Sequence, residues 1–237
     1  MATAPAVTRQ HYLGIDVGTS GCRSCLIDDE AQLLAGFRTP LPAPVRNGNA
    51  VEQGAGIWWT ALAENLDQLG RQHDLSAVTA MTLDGTSATL LCCDRQGTPL
   101  GPALMYNDAR ATTQAQRVAR VAPPDSAAHG PSASLAKLLW LLETGSCNEA
   151  GLCLHQADWL LGRLCGQYGF SDENNALKLG YDVIQRRWPD WLDTLDIPPQ
   201  LLPEVVPAGQ AVSTLAMPWS ERWGLPRDTR VLAGTTD

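Results

Sequence analysis

Three short stretches set an aspartate among glycines and hydroxyls: Asp16-Val17-Gly18-Thr19-Ser20, Asp84-Gly85-Thr86-Ser87 and Gly234-Thr235-Thr236-Asp237. Glycine lets backbone amides converge, and threonine and serine add hydroxyls. Together they form a donor set suited to an anion, most often a phosphate. A carboxylate beside a phosphate needs a cation between them, and magnesium, which takes oxygen ligands, is the common one. A carboxylate beside a hydroxyl-bearing ligand can instead accept its proton. The first loop is followed neither by Gly-Lys-Ser/Thr nor by an early helix. That separates it from the P-loop and from the dinucleotide-binding fingerprint.

Each stretch follows an apolar run that reads as a strand: Tyr12 to Ile15, Val78 to Leu83 and Val231 to Ala233. In open α/β sheets, ligands bind outside the carboxyl ends of strands. Three such ends side by side would gather up to three carboxylates around one anionic, hydroxyl-bearing ligand. The first loop leads straight into a second apolar run, Gly21 to Asp28, so the opening reads as strand, loop, strand.

The elements expected around these ends follow from periodicity and breakers. A third strand is expected at Ala31–Arg38. Pro40, Pro42, Pro44 and Gly48 mark residues 39–50 as a loop. Ile57, Trp58, Ala61, Leu62, Leu66 and Leu69 recur at helical spacing, giving a helix over Gly54–Gly70 that Gly70 ends. Trp58-Trp59 would pack that helix on a sheet. Strands are expected at Thr89–Asp94 and Leu104–Tyr106. Helices are expected over Ala109–Val121, over Ser134–Glu143 with Ser132 or Ser134 as cap, and over Gln156–Cys165. Short helical pieces are expected within 171–181 and from Trp188. The chain stops one residue into a polar loop after its last strand, which reads as the first part of something longer.

The 237 residues carry a net charge of -8 and a pI near 4.9. That leaves no basic footprint for nucleic acid or an anionic membrane. Residues 1–10 hold neither an apolar signal core nor a basic start, and read as a disordered tail before a domain over 11–237. Seven scattered cysteines, an odd number, suggest no disulfide framework and a cytoplasmic location. Cys22 and Cys25 would face opposite sides of a strand, and no second pair completes a zinc site. His11, His73, His129 and His155 are unclustered and receive no role.

The order of strands and helices is that of a ribonuclease-H-like mixed sheet flanked by helices, the fold of actin-like ATPases and sugar kinases. The chain resembles the N-terminal lobe of the FGGY carbohydrate kinases. The resemblance rests on Gly14–Gly21 (GIDVGTSG), Val51-Glu52-Gln53 with Trp58-Trp59, Leu104–Arg110 (LMYNDAR), Ser134–Leu138 (SLAKL), Gln156–Leu160 (QADWL) and Ala233–Asp237 (AGTTD). Xylulokinases usually carry Gly-Gln-Met-His where this chain has Asp84-Gly85-Thr86-Ser87. With Asn175–Tyr181 (NALKLGY), that stretch is similar to the D-ribulose kinases of cyanobacteria and plants.

The resemblance implies one lobe of a two-lobe kinase that phosphorylates a pentulose with ATP and Mg²⁺. The C-terminal ATP-binding lobe would lie outside this chain. Asp237 matches the general base and Asp16 the aspartate that holds Mg²⁺ through water. Gly18, Thr19 and Ser20 would cradle the γ-phosphate, with Arg23 facing the cleft. Asp84, Gly85, Thr86 and Ser87 match the sugar-binding loop, and Asn107, Asp108 and Arg110 lie in the segment beside the sugar. Two rival readings are a non-catalytic sugar-binding lobe and a ribonuclease-H-like nuclease. The nuclease would need a basic groove beside Asp16 and Asp84.

Overall fold

A computed structural model describes residues 10–147 and 151–236. In chain order the strands and helices are β1 (His11–Val17), β2 (Gly21–Asp28), β3 (Leu33–Pro40), β4 (Val45–Asn47), β5 (Ala50–Gln53) and α1 (Ala55–Gln72). Next come β6 (Val78–Gly85), β7 (Leu90–Cys93), β8 (Ala103–Leu104), α2 (Thr112–Ala119), α3 (Ser134–Glu143), β9 (Leu152–His155) and α4 (Gln156–Cys165). The last are β10 (Phe170–Asp172), α5 (Glu173–Leu177), β11 (Glu204–Val206), β12 (Ala211–Thr214), α6 (Met217–Trp223) and β13 (Arg230–Thr236).

Among the described residues the main sheet has six strands in the order β12-β13-β6-β1-β2-β3. The opening three strands are antiparallel, while β6 and β13 run parallel to β1. The carboxyl ends of β1, β6 and β13 therefore emerge together at one end of one sheet, as expected for those strands. Leu13, Ile15 and Val17 alternate into the core from β1, as do Cys22, Ser24 and Leu26 from β2. Trp58, Leu62, Leu66 and Leu69 of α1 form a fully buried stripe over β2 and β3, and α4 covers β6 and β13. A second, five-stranded sheet has the order β4-β5-β8-β7-β9.

Several elements depart from expectation. The loop expected over 39–50 holds the β4–β5 hairpin, because Gly48 adopts φ +58° at a tight turn. Gly70 does not end α1, which continues to Gln72. A Cβ at Gly70 would stand 3.2 Å from the Trp223 carbonyl, so that glycine answers to packing against α6. Trp58 and Trp59 meet helices as well as sheet: Trp58 lies edge-on to Trp159 of α4, and Trp59 to Trp219 of α6. Neither Ser132 nor Ser134 caps α3; Ala133 holds the cap position, and the Ser134 hydroxyl instead meets His155. His155 itself is fully buried at the start of α4 and exchanges hydrogen bonds with Asp158.

The expectation of unpaired cysteines also needs correction. Cys92 of β7 is joined to Cys147 after α3, with Cα atoms 5.9 Å apart, within bridging range. The pairing was hidden because 55 residues of sequence separate the two. Cys22 is buried and Cys25 exposed, as alternation along a strand requires. No helix among the described residues is long and apolar enough to cross a membrane.

Candidate active site

The carboxyl ends of β1, β6 and β13 lie side by side. Asp16 pairs in register with Asp84 across β1 and β6, and Asp84 with Thr235 across β6 and β13. The third end is fitted by a bulge between Leu232 and Thr235. A Cβ at Gly234 would fall 1.8 Å from the Leu83 carbonyl oxygen, so only glycine lets β13 close on β6 there. Thr236 then donates its hydroxyl to the Gly85 carbonyl at 2.8 Å. Asn174 of α5 donates to the Thr235 hydroxyl at 2.7 Å. Asp237 lies outside the described residues.

Small residues on the open face of the sheet, Gly14, Gly36 and Thr82, leave a groove of about 620 Å³. Asp16, Arg23, Arg38, Asp84 and Thr235 also line it. Arg23 donates to the Asp16 carboxylate at 2.6 Å, and both side chains are about half exposed (49% and 44%). Two arginines beside two aspartates do not make the basic groove a nuclease would need. Gly18 donates its amide to the Gly21 carbonyl at 3.1 Å, closing the hairpin turn. The turn leaves Thr19 part-exposed and Ser20 exposed.

The loop after β6 is built differently. Asp84 accepts the Gly85 amide at 2.8 Å. Thr86 is buried: its amide and hydroxyl both donate to the Gln156 side-chain oxygen, at 2.9 and 2.7 Å, and its hydroxyl meets Thr89 at 2.6 Å. Thr86 thus braces the loop from beneath instead of facing a ligand. Ser87 remains part-exposed, and Ala88 takes the left-handed conformation at φ +61°, unusual for a residue with a Cβ.

In the neighbouring segment Asp108 is fully buried, and its carboxylate is saturated. It accepts the Val51 amide at 2.6 Å and a fork of hydrogen bonds from Arg110. Arg110 also pairs with Glu52 at 2.7 Å and lies over the Trp140 ring. Asp108 and Arg110 therefore order the segment and are not open to a ligand. Asn107 differs: its side-chain oxygen is shielded from solvent and has no partner. Gln156 carries a matching orphan, its side-chain nitrogen. Orphaned polar atoms of this kind fit a ligand rich in hydroxyls.

The donor set also fits magnesium in one way. Among the described residues no group of three or more His, Cys, Asp or Glu is placed to hold a metal directly. A single carboxylate such as Asp16 suits an ion that keeps its waters and takes its other oxygens from phosphate.

The N-terminal domain of the FGGY family of carbohydrate kinases matches residues 11–237, nearly the whole chain. This chain belongs to that family. The xylulose kinase of Escherichia coli is 28% identical over 95% of this chain, and that of Streptomyces coelicolor is 28% identical over the same share. The glycerol kinase of Gloeobacter violaceus is 27% identical over 87%. This FGGY chain spans about half the length of the curated relatives it matches (48% of the E. coli protein). The solved structure of a xyloylose kinase from Brucella ovis shares the fold at a TM-score of 0.89 and 24% identity, over 96% of this chain and 49% of its own. A gluconate kinase from Lactobacillus acidophilus does so at 0.86 and 19%, over 97% and 48%.

Sequence reasoning named Gln156 and Lys137 only as letters of FGGY landmarks, with no task. Both are completely buried polar side chains that hold the 84–88 loop. A lysine amid apolar helix neighbours in Ser134–Leu138 was the available signal, since buried lysines are rare without partners.

Proposed function

We propose that this chain is the sugar-binding, base-bearing lobe of a kinase that transfers the γ-phosphoryl group of ATP to a hydroxyl of a pentulose, D-ribulose or D-xylulose. The observation that carries the reading is the register of Asp16, Asp84 and Thr235 at adjoining strand ends, within a domain matched to carbohydrate kinases. The sugar oxygen forms a bond to the γ-phosphorus while the bond to the β,γ-bridging oxygen breaks and ADP leaves. Asp237, next in sequence after Thr236, takes the hydroxyl proton. Such transfers depend mainly on positioning and charge stabilisation. Amides and hydroxyls of Gly18, Thr19 and Ser20 would receive the γ-phosphate, with Arg23 beside it. Asp16 would hold Mg²⁺ through water, and that ion supplies positive charge to the transferring phosphoryl oxygens. Asp84, Ser87 and Asn107 would meet sugar hydroxyls, with Gln156 beneath them. Gly85, Thr86, Asp108 and Arg110 shape the pocket.

The relatives named as xylulose kinases favour D-xylulose, while Asp84-Gly85-Thr86-Ser87 favours D-ribulose. Calorimetric titration of this chain with D-ribulose, D-xylulose, ribitol and glycerol tests the substrate class. Tighter binding of a pentulose is expected, and binding of none of the four overturns the reading. The 237 residues alone are expected to show no appreciable ATP turnover, because the adenosine would sit on a second lobe; robust phosphorylation by this chain alone refutes that. In the same chain carried in a two-lobe enzyme, Asp237→Ala should lower kcat by about 10²- to 10⁴-fold.

A further inference from the structure

One side chain joins the two segments assigned to the sugar. Lys137 rises from α3 and is completely buried. Its ammonium donates to the Ala88 carbonyl at 2.8 Å, the Met105 carbonyl at 2.7 Å and the Tyr106 carbonyl at 3.4 Å. When protonated, its three N–H groups match those three carbonyls, the full capacity of the group. Ala88 closes the loop that begins at Asp84, and Tyr106 immediately precedes Asn107, whose side-chain oxygen is unpartnered. The left-handed backbone at Ala88 persists only where its surroundings over-determine it, and the bond from Lys137 is one such restraint. A buried ammonium without a direct carboxylate partner is a costly way to hold two loops if packing alone were the aim. Carbonyl-to-carbonyl bridging fixes a distance that apolar contact would leave soft.

We infer that Lys137 is a positioning residue for the sugar: it sets the separation between the Asp84–Ala88 loop and the Asn107 segment, and so the span between the groups that grip the ligand. The inference rests on the sugar-binding reading given above. It adds that pentulose recognition depends on a residue that touches no substrate.

Removing these donors takes the side-chain partner from the Ala88 and Tyr106 carbonyls, leaves Met105 with the Asp108 amide alone, and frees the loops from each other. Lys137→Met keeps the length of the side chain and should weaken pentulose binding by about 10- to 100-fold in calorimetry on this chain. Leu138→Ala, in the apolar cluster beside it, serves as the control for lost stability. It should lower the melting temperature yet leave pentulose affinity within about twofold, as expected of a packing change away from the ligand. Lys137→Ala supplemented with ethylammonium should regain part of the affinity, which a merely structural role would not produce. Equal affinity in wild type and a folded Lys137→Met overturns the inference, as does an equal loss in Leu138→Ala. Should Lys137→Met fail to fold, the wild type still decides. Pentulose must then slow amide exchange at 86–89 and at 105–108 together, and slowing at only one segment refutes the coupling. A wild-type chain that binds no pentulose defeats the functional reading itself, a different result from either.

Discussion

Asp16 and Asp84 face each other in register, but the loops that follow them are held in opposite ways. After Asp16 the hairpin turn is closed by the Gly18–Gly21 backbone hydrogen bond and tied at Ser20 to Leu41 and Arg38, and its Asp16–Arg23 ion pair is half exposed. After Asp84 the loop rests on Gln156 and Lys137, and the adjoining segment on the Asp108–Arg110 fork, all largely withdrawn from solvent. Exposed pairs contribute little and are screened by salt, whereas a satisfied buried network fixes one geometry. On the proposed assignment, the sugar side would be built before the ligand arrives, and the phosphate side would be left for the phosphate and its cation to organise. That division suits a site that must distinguish similar sugars by shape yet take and release a highly charged group.

The contrast can be broken most directly at Asp108. Removing its carboxylate leaves the buried Val51 amide without its acceptor and Arg110 with Glu52 as its remaining ion-pair partner. Asp108→Ala should cost about 2–4 kcal/mol in urea unfolding, the scale of a lost buried network of hydrogen bonds to charged groups. A loss below about 1 kcal/mol, the ordinary scale of a surface pair, would mean that the segment is no better fixed than the hairpin.

Lys137 sharpens the contrast through pH. Burial holds its ammonium down to about 7, from 10.5, against the opposing pull of Asp108. Between those values the unfolded chain keeps a proton that the folded chain has released, so stability rises with pH across that window. The slope approaches about tenfold in the folding constant per pH unit. Buried Cys22 and Cys93, pushed up to about 12 by burial, act in the other direction once unfolded thiols ionise near 9. The informative range is therefore pH 7 to about 8.5. Unfolding free energies should rise there in the wild type and be flatter in Lys137→Met. Parallel curves would show that Lys137 is not held in the folded state as its surroundings suggest.

The two sides also differ in how far the sequence revealed them. Strand ends announce themselves through short local patterns, and Asp16, Asp84 and the end of β13 fell at one end of one sheet as read, although β13 runs on through Gly234–Thr236, which the sequence had read as loop. The hairpin and the helices Ser134–Glu143 and Gln156–Cys165 were legible for the same reason: periodicity and breakers act within a few residues. What holds the sugar side is non-local. Thr86 meets Gln156 from 70 residues away, and Ala88 meets Lys137 from 49. No local pattern distinguishes a threonine that faces a ligand from one that braces a loop, so Thr86 read with the sugar-binding loop. For Asp108 and Arg110 sequence alone could not separate sugar contact from loop ordering, and their mutual hydrogen bonds favour ordering. The disulfide between Cys92 and Cys147 escaped on the same ground, while the bulge at Gly234 needed the neighbouring strand to explain its glycine.

The smallest stability effect is expected at Arg23, where the distinction matters most for chemistry. Its guanidinium and the Asp16 carboxylate are each about half exposed, so water already solvates much of both charges. Arg23→Gln should change unfolding stability by less than about 1 kcal/mol, and the change should shrink further in 0.5 M salt as screening grows. Binding should respond more than stability. Without the arginine, Asp16 loses its internal counter-charge, and a cation-bearing polyphosphate becomes the main neutralising partner left to the loop. In a two-lobe enzyme carrying this chain, Arg23→Gln should therefore alter the dependence of rate on magnesium and ATP while the KM for pentulose stays within about twofold of wild type, because the hydrogen bonds that hold Thr86, Ala88 and Asp108 come from Gln156, Lys137 and Arg110. A pentulose KM that moved as far as that for ATP would show the two sides to be one coupled unit, with the open hairpin drawing its order from the buried network after all.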